Sequence, residues 1–323
     1  MSPLWSEGRD SNAADRRRSR VETATDQSCD KSPHSKEDSL SDGLSESLKL
    51  SFSTLGCPNW ELEQIAQAAR AYGYAAVELR AIGGELDLLE RPEFQPGTVE
   101  TTRRWLGEQS VSISCVDTSC KFDSLDANER RRQIDSAVKH TELASALGAP
   151  LIRIFPDKIQ EGATRNETRD NIASCLREVA QRGHSGVRVG LETHGDFAHG
   201  HMAAEIMRLA NHPKVALIWD VANSLAAGDS IEEAAREVAP YLVHVHLRDA
   251  RAVEGQEHWL PVLAGRGSVS FSDAVKTLHD LKYDGYISFE WEKYWHPEIE
   301  EPEVALPDFV DAMKKILATD SRG

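Results

Sequence analysis

The stretch Val187-Arg188-Val189-Gly190-Leu191-Glu192-Thr193-His194 decides how the chain reads. It is a short β-branched run that ends in a carboxylate and an imidazole two residues apart. Alternation along a strand puts Glu192 and His194 on one face and Leu191 and Thr193 on the other. Further along the chain the pattern recurs as Val215-Ala216-Leu217-Ile218-Trp219-Asp220-Val221-Ala222-Asn223, then Val243-His244-Val245-His246-Leu247-Arg248-Asp249. It returns once more in Ile287-Ser288-Phe289-Glu290-Trp291-Glu292. Four successive apolar runs therefore end in a polar, ligand-bearing residue.

Working outward, strands are expected at Leu50–Leu55, Ala75–Arg80, Ser112–Asp117, Leu151–Phe155, Val187–Thr193, Val215–Val221, Leu242–Leu247 and Tyr286–Trp291. Stretches of helical periodicity separate them: Trp60–Tyr72, Thr98–Gln109, Glu129–Leu147, Arg165–Arg182, Met202–Ala210, Ile231–Val238 and Phe271–Leu281, with Asp308–Leu317 closing the chain. Strand–helix alternation predicts a parallel sheet, and eight such units predict a closed (β/α)8 TIM barrel. Gly73 and Gly148 stand where helix C-termini call for a left-handed residue. Ser230 with Glu233 forms a capping-box pattern. A doubly wound open sheet would carry a glycine-rich phosphate turn after the first strand, but that position reads Thr54-Leu55-Gly56-Cys57-Pro58-Asn59.

The chain has 323 residues, of which 40% are hydrophobic, and a formal net charge of −16. Residues 1–47 are rich in Ser, Asp, Glu, Arg and Lys and poor in aliphatics, so they are expected to form a disordered tail. The barrel is expected over residues 48–319 and a short tail over 320–323. The acidic balance argues against nucleic acid as a partner. No apolar run reaches the ~18 residues of a membrane span, and Arg16–Arg18 is not followed by the apolar segment of an export signal. The five cysteines include no Cys-x-x-Cys pair, which fits reduced thiols in a cytoplasmic enzyme.

In a barrel the strand C-termini converge on one mouth. Glu192, Asp220, His246 and Glu290 are expected to meet there. Three carboxylates at that distance repel one another unless a cation lies between them. Three oxygens and one nitrogen suit one Mn²⁺, Mg²⁺ or Co²⁺ ahead of Zn²⁺.

From Lys49 to about residue 318 the chain resembles the sugar phosphate isomerase/epimerase family, the xylose isomerase-like TIM barrels. Gly190-Leu-Glu-Thr-His-Gly195, Ile218-Trp-Asp-Val-Ala-Asn223, Val243-His-Val-His-Leu-Arg-Asp249 and Gly285-Tyr-Ile-Ser-Phe-Glu290 carry the likeness, in order and at matching spacing. The resemblance implies that Glu192, Asp220, His246 and Glu290 bind one divalent metal. It also implies that Glu192 and Glu290 exchange a proton with a sugar or polyol through an enediolate. A histidine common in ketose 3-epimerases three residues after the aspartate is Asn223 here, which leaves an inosose-type dehydratase as the alternative. An endonuclease-IV-like nuclease would need further histidines on the second and third strands, which instead end in Glu78-Leu79-Arg80 and Val116-Asp117.

Substrate contacts are expected from His194, Asn223, Arg251, Glu78 and Arg153. For Arg153 a role in balancing charge is the alternative, and for Arg251 a place on the surface. Gly265-Arg266-Gly267 reads as a tight turn rather than a phosphate cradle. The aromatic segment Trp291–His296 suits sugar stacking, a lid or a subunit contact, the last allowing a homo-oligomer.

Overall fold

Eight of the apolar runs pair side by side, each parallel to its neighbours, and the last closes onto the first. A computed structural model of the chain describes residues 49–253 and 259–320. The expected tail over residues 1–47 and the residues after Asp320 lie outside the described residues. Strands β1 (Lys49–Ser53), β2 (Ala76–Leu79), β3 (Ser112–Lys121), β4 (Leu151–Phe155), β5 (Arg188–Glu192), β6 (Val215–Asp220), β7 (Leu242–His246) and β10 (Tyr286–Phe289) form a closed barrel in the order β1-β10-β7-β6-β5-β4-β3-β2. Closure pairs Lys49 with Tyr286 and Phe52 with Phe289.

Around the barrel run α1 (Leu62–Tyr72), α2 (Val99–Glu108), α3 (Ala127–Leu147), α4 (Arg165–Arg182), α5 (Gly200–Ala210), α6 (Val221–Ala227), α7 (Ile231–Val238), α8 (Phe271–Asp280) and α9 (Pro302–Asp320). The expected helix boundaries are found. Gly73 and Gly148 take φ of 87° and 79°, and Ser230 and Glu233 exchange the two bonds of a capping box. The last helix starts at Pro302 rather than Asp308, because proline fits the first helical position, where no N–H is needed.

Alternation sorts each strand between two cores. Phe52, Val77, Leu79, Val116, Ile154, Leu191, Leu217, Trp219, Val245 and Phe289 belong to the main apolar core, with Ala66, Leu147, Val179 and Leu278 of the surrounding helices. Cys115, Leu151 and Ile218 form a separate small cluster, each two residues before a polar mouth residue: Asp117, Arg153 and Asp220. These residues are the apolar floor under the site. A side chain at Gly190 would meet Ile218 and Leu151 within 3.0 Å, so glycine there lets the floor close. A second, two-stranded antiparallel ribbon, β8 (Asp249–Arg251) with β9 (Leu260–Val262), follows β7. The described cysteines Cys57, Cys115, Cys120 and Cys175 are buried free thiols. Among the described residues no helix is long and apolar enough to cross a membrane.

Candidate active site

The strand ends place one ligand-bearing residue each. Glu192 ends β5, Asp220 ends β6, His246 ends β7 and Glu290 follows β10 directly. One donor atom from each lies within 4.8 Å of all the others, and all four residues are buried. Asp220 also caps α6, its Oδ1 accepting the Asn223 N–H at 2.7 Å, while Oδ2 is buried without a hydrogen-bond partner.

The imidazole is oriented from behind. His246 Nε2 lies 3.2 Å from Glu78 Oε2, and His244 Nε2 reaches the same oxygen at 2.6 Å. Both histidines can donate to Glu78, which leaves His246 Nδ1 facing Glu290 Oε2 at 3.4 Å and Glu192 Oε1 at 3.8 Å. Nδ1 too is buried with no hydrogen-bond partner. A carboxylate behind a metal-binding histidine fixes its tautomer in this way.

Two arginines frame the acids. Arg153 donates to Glu192 at 2.8 Å, pairs with Asp117 at 3.4 Å and Glu290 at 3.9 Å, and lies 3.8 Å from the Phe155 ring centroid. Arg248 reaches Asp220 at 3.4 Å, Asn223 Oδ1 at 3.1 Å and Glu292 at 3.3 Å.

Burial alone would push every acid here toward its neutral form. It does so for Asp117, raised well above the usual carboxylate range, and for Asp220, pushed up to about 8 against the attraction of Arg248. For Glu192 burial is overridden by Arg153, and for Glu290 by His246, so both stay below the usual range. Burial would lower His246, but Glu78 and Glu290 raise it well above the ordinary imidazole value. Crowded this way, Asp220 and His246 both favour their protonated forms. The orphaned Asp220 Oδ2 and His246 Nδ1, with two ionised glutamates alongside, fit one divalent ion.

The residues expected to contact substrate divide. His194 stands at the rim, its ring 4.6 Å from that of Phe155 and its Nδ1 3.8 Å from Asp157. Asn223 is engaged at both ends of its amide, Nδ2 donating to the Thr193 carbonyl and Oδ1 accepting from Arg248. It acts as a bracket for Arg248. Glu78 lies behind His246, and Arg153 is held by three carboxylates. Arg251 is exposed on β8 and paired with Leu260 of β9. Gly265-Arg266-Gly267 is closed by Asp249, which accepts the Gly267 N–H at 2.8 Å, so it is a turn.

Arg248, Asp117 and the tie between His244 and Glu78 escape the sequence reading. Alternation is the available signal: Arg248 is two residues past His246, and Asp117 is two residues past Cys115 on β3.

The sequence pattern of the xylose isomerase-like TIM barrels matches residues 66–316. A probable endonuclease 4 of Campylobacter concisus is 26% identical over 172 residues, 47% of this chain and 60% of that protein. The chain spans between 44% and 60% of the length of the curated relatives it matches. An L-ribulose 3-epimerase structure superposes with a TM-score of 0.68 at 14% identity, covering 85% of this chain and 96% of that one. The IolI protein with a bound zinc atom superposes with a TM-score of 0.64 at 19% identity, covering 85% and 98%. With its family pattern running through most of a closed eight-stranded barrel, the chain belongs to the xylose isomerase-like TIM barrel family.

Proposed function

We propose that this chain is a divalent-metal-dependent isomerase or epimerase of sugars or sugar phosphates. In this reading Glu192, Asp220, His246 and Glu290 hold one ion, and Glu192 and Glu290 move the proton. One observation carries it: the four donor atoms lie within 4.8 Å of one another while His246 Nε2 is committed to Glu78. Three oxygens and one nitrogen favour Mn²⁺, Mg²⁺ or Co²⁺, and zinc is accommodated by the same set. When bound, the ion supplies Lewis acidity toward a carbonyl and its neighbouring hydroxyl, which lowers the cost of removing a proton from the adjacent carbon.

The chain's own residues supply the rest. Glu192 and Glu290 are both kept ionised at neutral pH, so each can accept a proton from carbon. Arg153 fixes Glu192 through a 2.8 Å bond and leaves its other oxygen toward the cluster. Return of the proton by the same glutamate gives exchange or isomerisation, and return by the other from the opposite face gives the epimer. The similarity to a probable endonuclease 4 raises a nuclease reading. The mouth ends of β2 and β3 carry Glu78, Arg80 and Asp117 in place of further histidines, which favours the isomerase.

The test is incubation of the Mn²⁺-loaded protein in D₂O with a panel of ketoses, ketose phosphates and inososes. Deuterium uptake at carbon by the wild type, lost in a folded Glu290→Gln variant, is expected. No uptake with any member of the panel contradicts the proposal.

A further inference from the structure

A third arginine stands at the mouth without a counter-ion. Arg80 follows β2 directly, two residues past Glu78, and its charge acts on the same mouth as Arg153, Asp117 and Glu290. It is 4% exposed. Its backbone is pinned by Thr54 Oγ1, which accepts the Arg80 and Ala81 N–H groups at 2.7 and 3.1 Å. Its guanidinium donates to Ser119 Oγ at 3.0 Å and to the Leu86 carbonyl at 3.5 Å, both neutral acceptors.

The contrast with its neighbours is sharp. Arg153 pairs with three carboxylates and Arg248 with two, whereas among the described residues no carboxylate oxygen lies within 4.0 Å of Arg80. Burial, then repulsion by Arg153, lowers its pKa to about 10, so it is still a cation at neutral pH. Asp117 and Glu290 act on it only from longer range. A guanidinium has five N–H donors in a planar fork, and two are used here. A buried cation held only by neutral acceptors is less favourable than one paired with a carboxylate, and a fork with donors to spare matches an oxyanion.

We propose that Arg80 anchors an oxyanionic substituent of the substrate, a carboxylate or a phosphate. This inference rests on the proton-transfer reading of the same mouth. It narrows the substrate to an acidic or phosphorylated sugar derivative in place of a neutral ketose.

Titration calorimetry on the full Mn²⁺-loaded chain tests it with D-fructose, D-fructose 6-phosphate and 2-keto-D-gluconate. The wild type is expected to bind at least one of the two anions ten-fold or more tightly than D-fructose, and the preferred probe tells phosphate from carboxylate. Arg80→Met is expected to erase that preference while binding D-fructose within two-fold of wild type. Arg80→Lys, which keeps the charge and loses the fork, is expected to retain part of the preference and carries the test should Arg80→Met fail to fold. Neither anion binding more tightly than D-fructose, absence of binding included, overturns the proposal. So does equal weakening of all three probes, which marks a structural role. Calorimetry reads binding alone, so anion preference without deuterium exchange sinks the proton-transfer reading and spares the anchor. Exchange without anion preference does the reverse.

Discussion

Replacing Glu78 by Gln separates orientation of His246, a proposed metal ligand, from ligation itself. Glu78 accepts from His244 Nε2 at 2.6 Å and from His246 Nε2 at 3.2 Å, and is fully buried. A glutamine offers one acceptor and one NH₂ group. The shorter bond to His244 takes the acceptor, which sets the amide N–H against His246 Nε2. His246 Nε2 then loses its acceptor, so the ring must turn or change tautomer, and Nδ1 is no longer held in the form that presents a lone pair to a metal ion. Losing an orienting partner of this kind weakens metal binding by about 10–100-fold, or ~1.4–2.7 kcal/mol. The lost charge-assisted bond costs about 1.5–3 kcal/mol of folding stability. Calorimetric titration with Mn²⁺ reads the first quantity and chemical unfolding of the metal-free protein the second. Mn²⁺ affinity within two-fold of wild type in a folded Glu78→Gln protein refutes the orientation argument.

Other substitutions probe the charge balance and the loops. Arg153→Met leaves Glu192 and Asp117 buried without their cation, and a loss of about 3–5 kcal/mol in urea unfolding is expected. Metal-free protein should lose stability as pH rises from about 4 to 8. Asp220 keeps its proton up to about 8 in the fold but releases it near the usual 3.8 when unfolded, so the folded state binds more protons throughout that window. Asp220 alone contributes at most about 1.4 kcal/mol per pH unit to that slope, and saturating Mn²⁺, taking the proton's place, should flatten its share in pH-dependent unfolding curves. Gly195→Ala puts a methyl group 2.2 Å from the Asp157 carbonyl at a φ of +57°. A loss of about 1–3 kcal/mol is expected from thermal melts, with His194 displaced from Phe155.

The barrel and the four-residue cluster at its mouth are legible in the sequence because both rest on local periodicity. A strand-end residue at Glu192, Asp220, His246 or Glu290 declares its face by the residues beside it. The roles of Glu78 and Asn223 are not legible, because their partners come from other strands: His244 and His246 for Glu78, Arg248 and Thr193 for Asn223. From the sequence each reads as a polar group at a mouth, for which substrate contact is the default expectation. The β8–β9 ribbon escapes for another reason. Its strands are three residues long, too short for alternation to rise above a loop. Arg251, for which the sequence leaves substrate contact and a place on the surface open, is exposed on this ribbon.

The four-residue centre is tested most directly by Mn²⁺ titration of the wild type against Asp220→Asn. Asp220 Oδ2 is the orphaned oxygen of the cluster, and the amide keeps its size but cannot ionise to meet a cation. The account predicts one Mn²⁺ per wild-type chain and a loss of affinity of at least about 100-fold in the variant, from loss of one charged ligand. Equal Mn²⁺ binding by the two proteins, or none by the wild type, contradicts it.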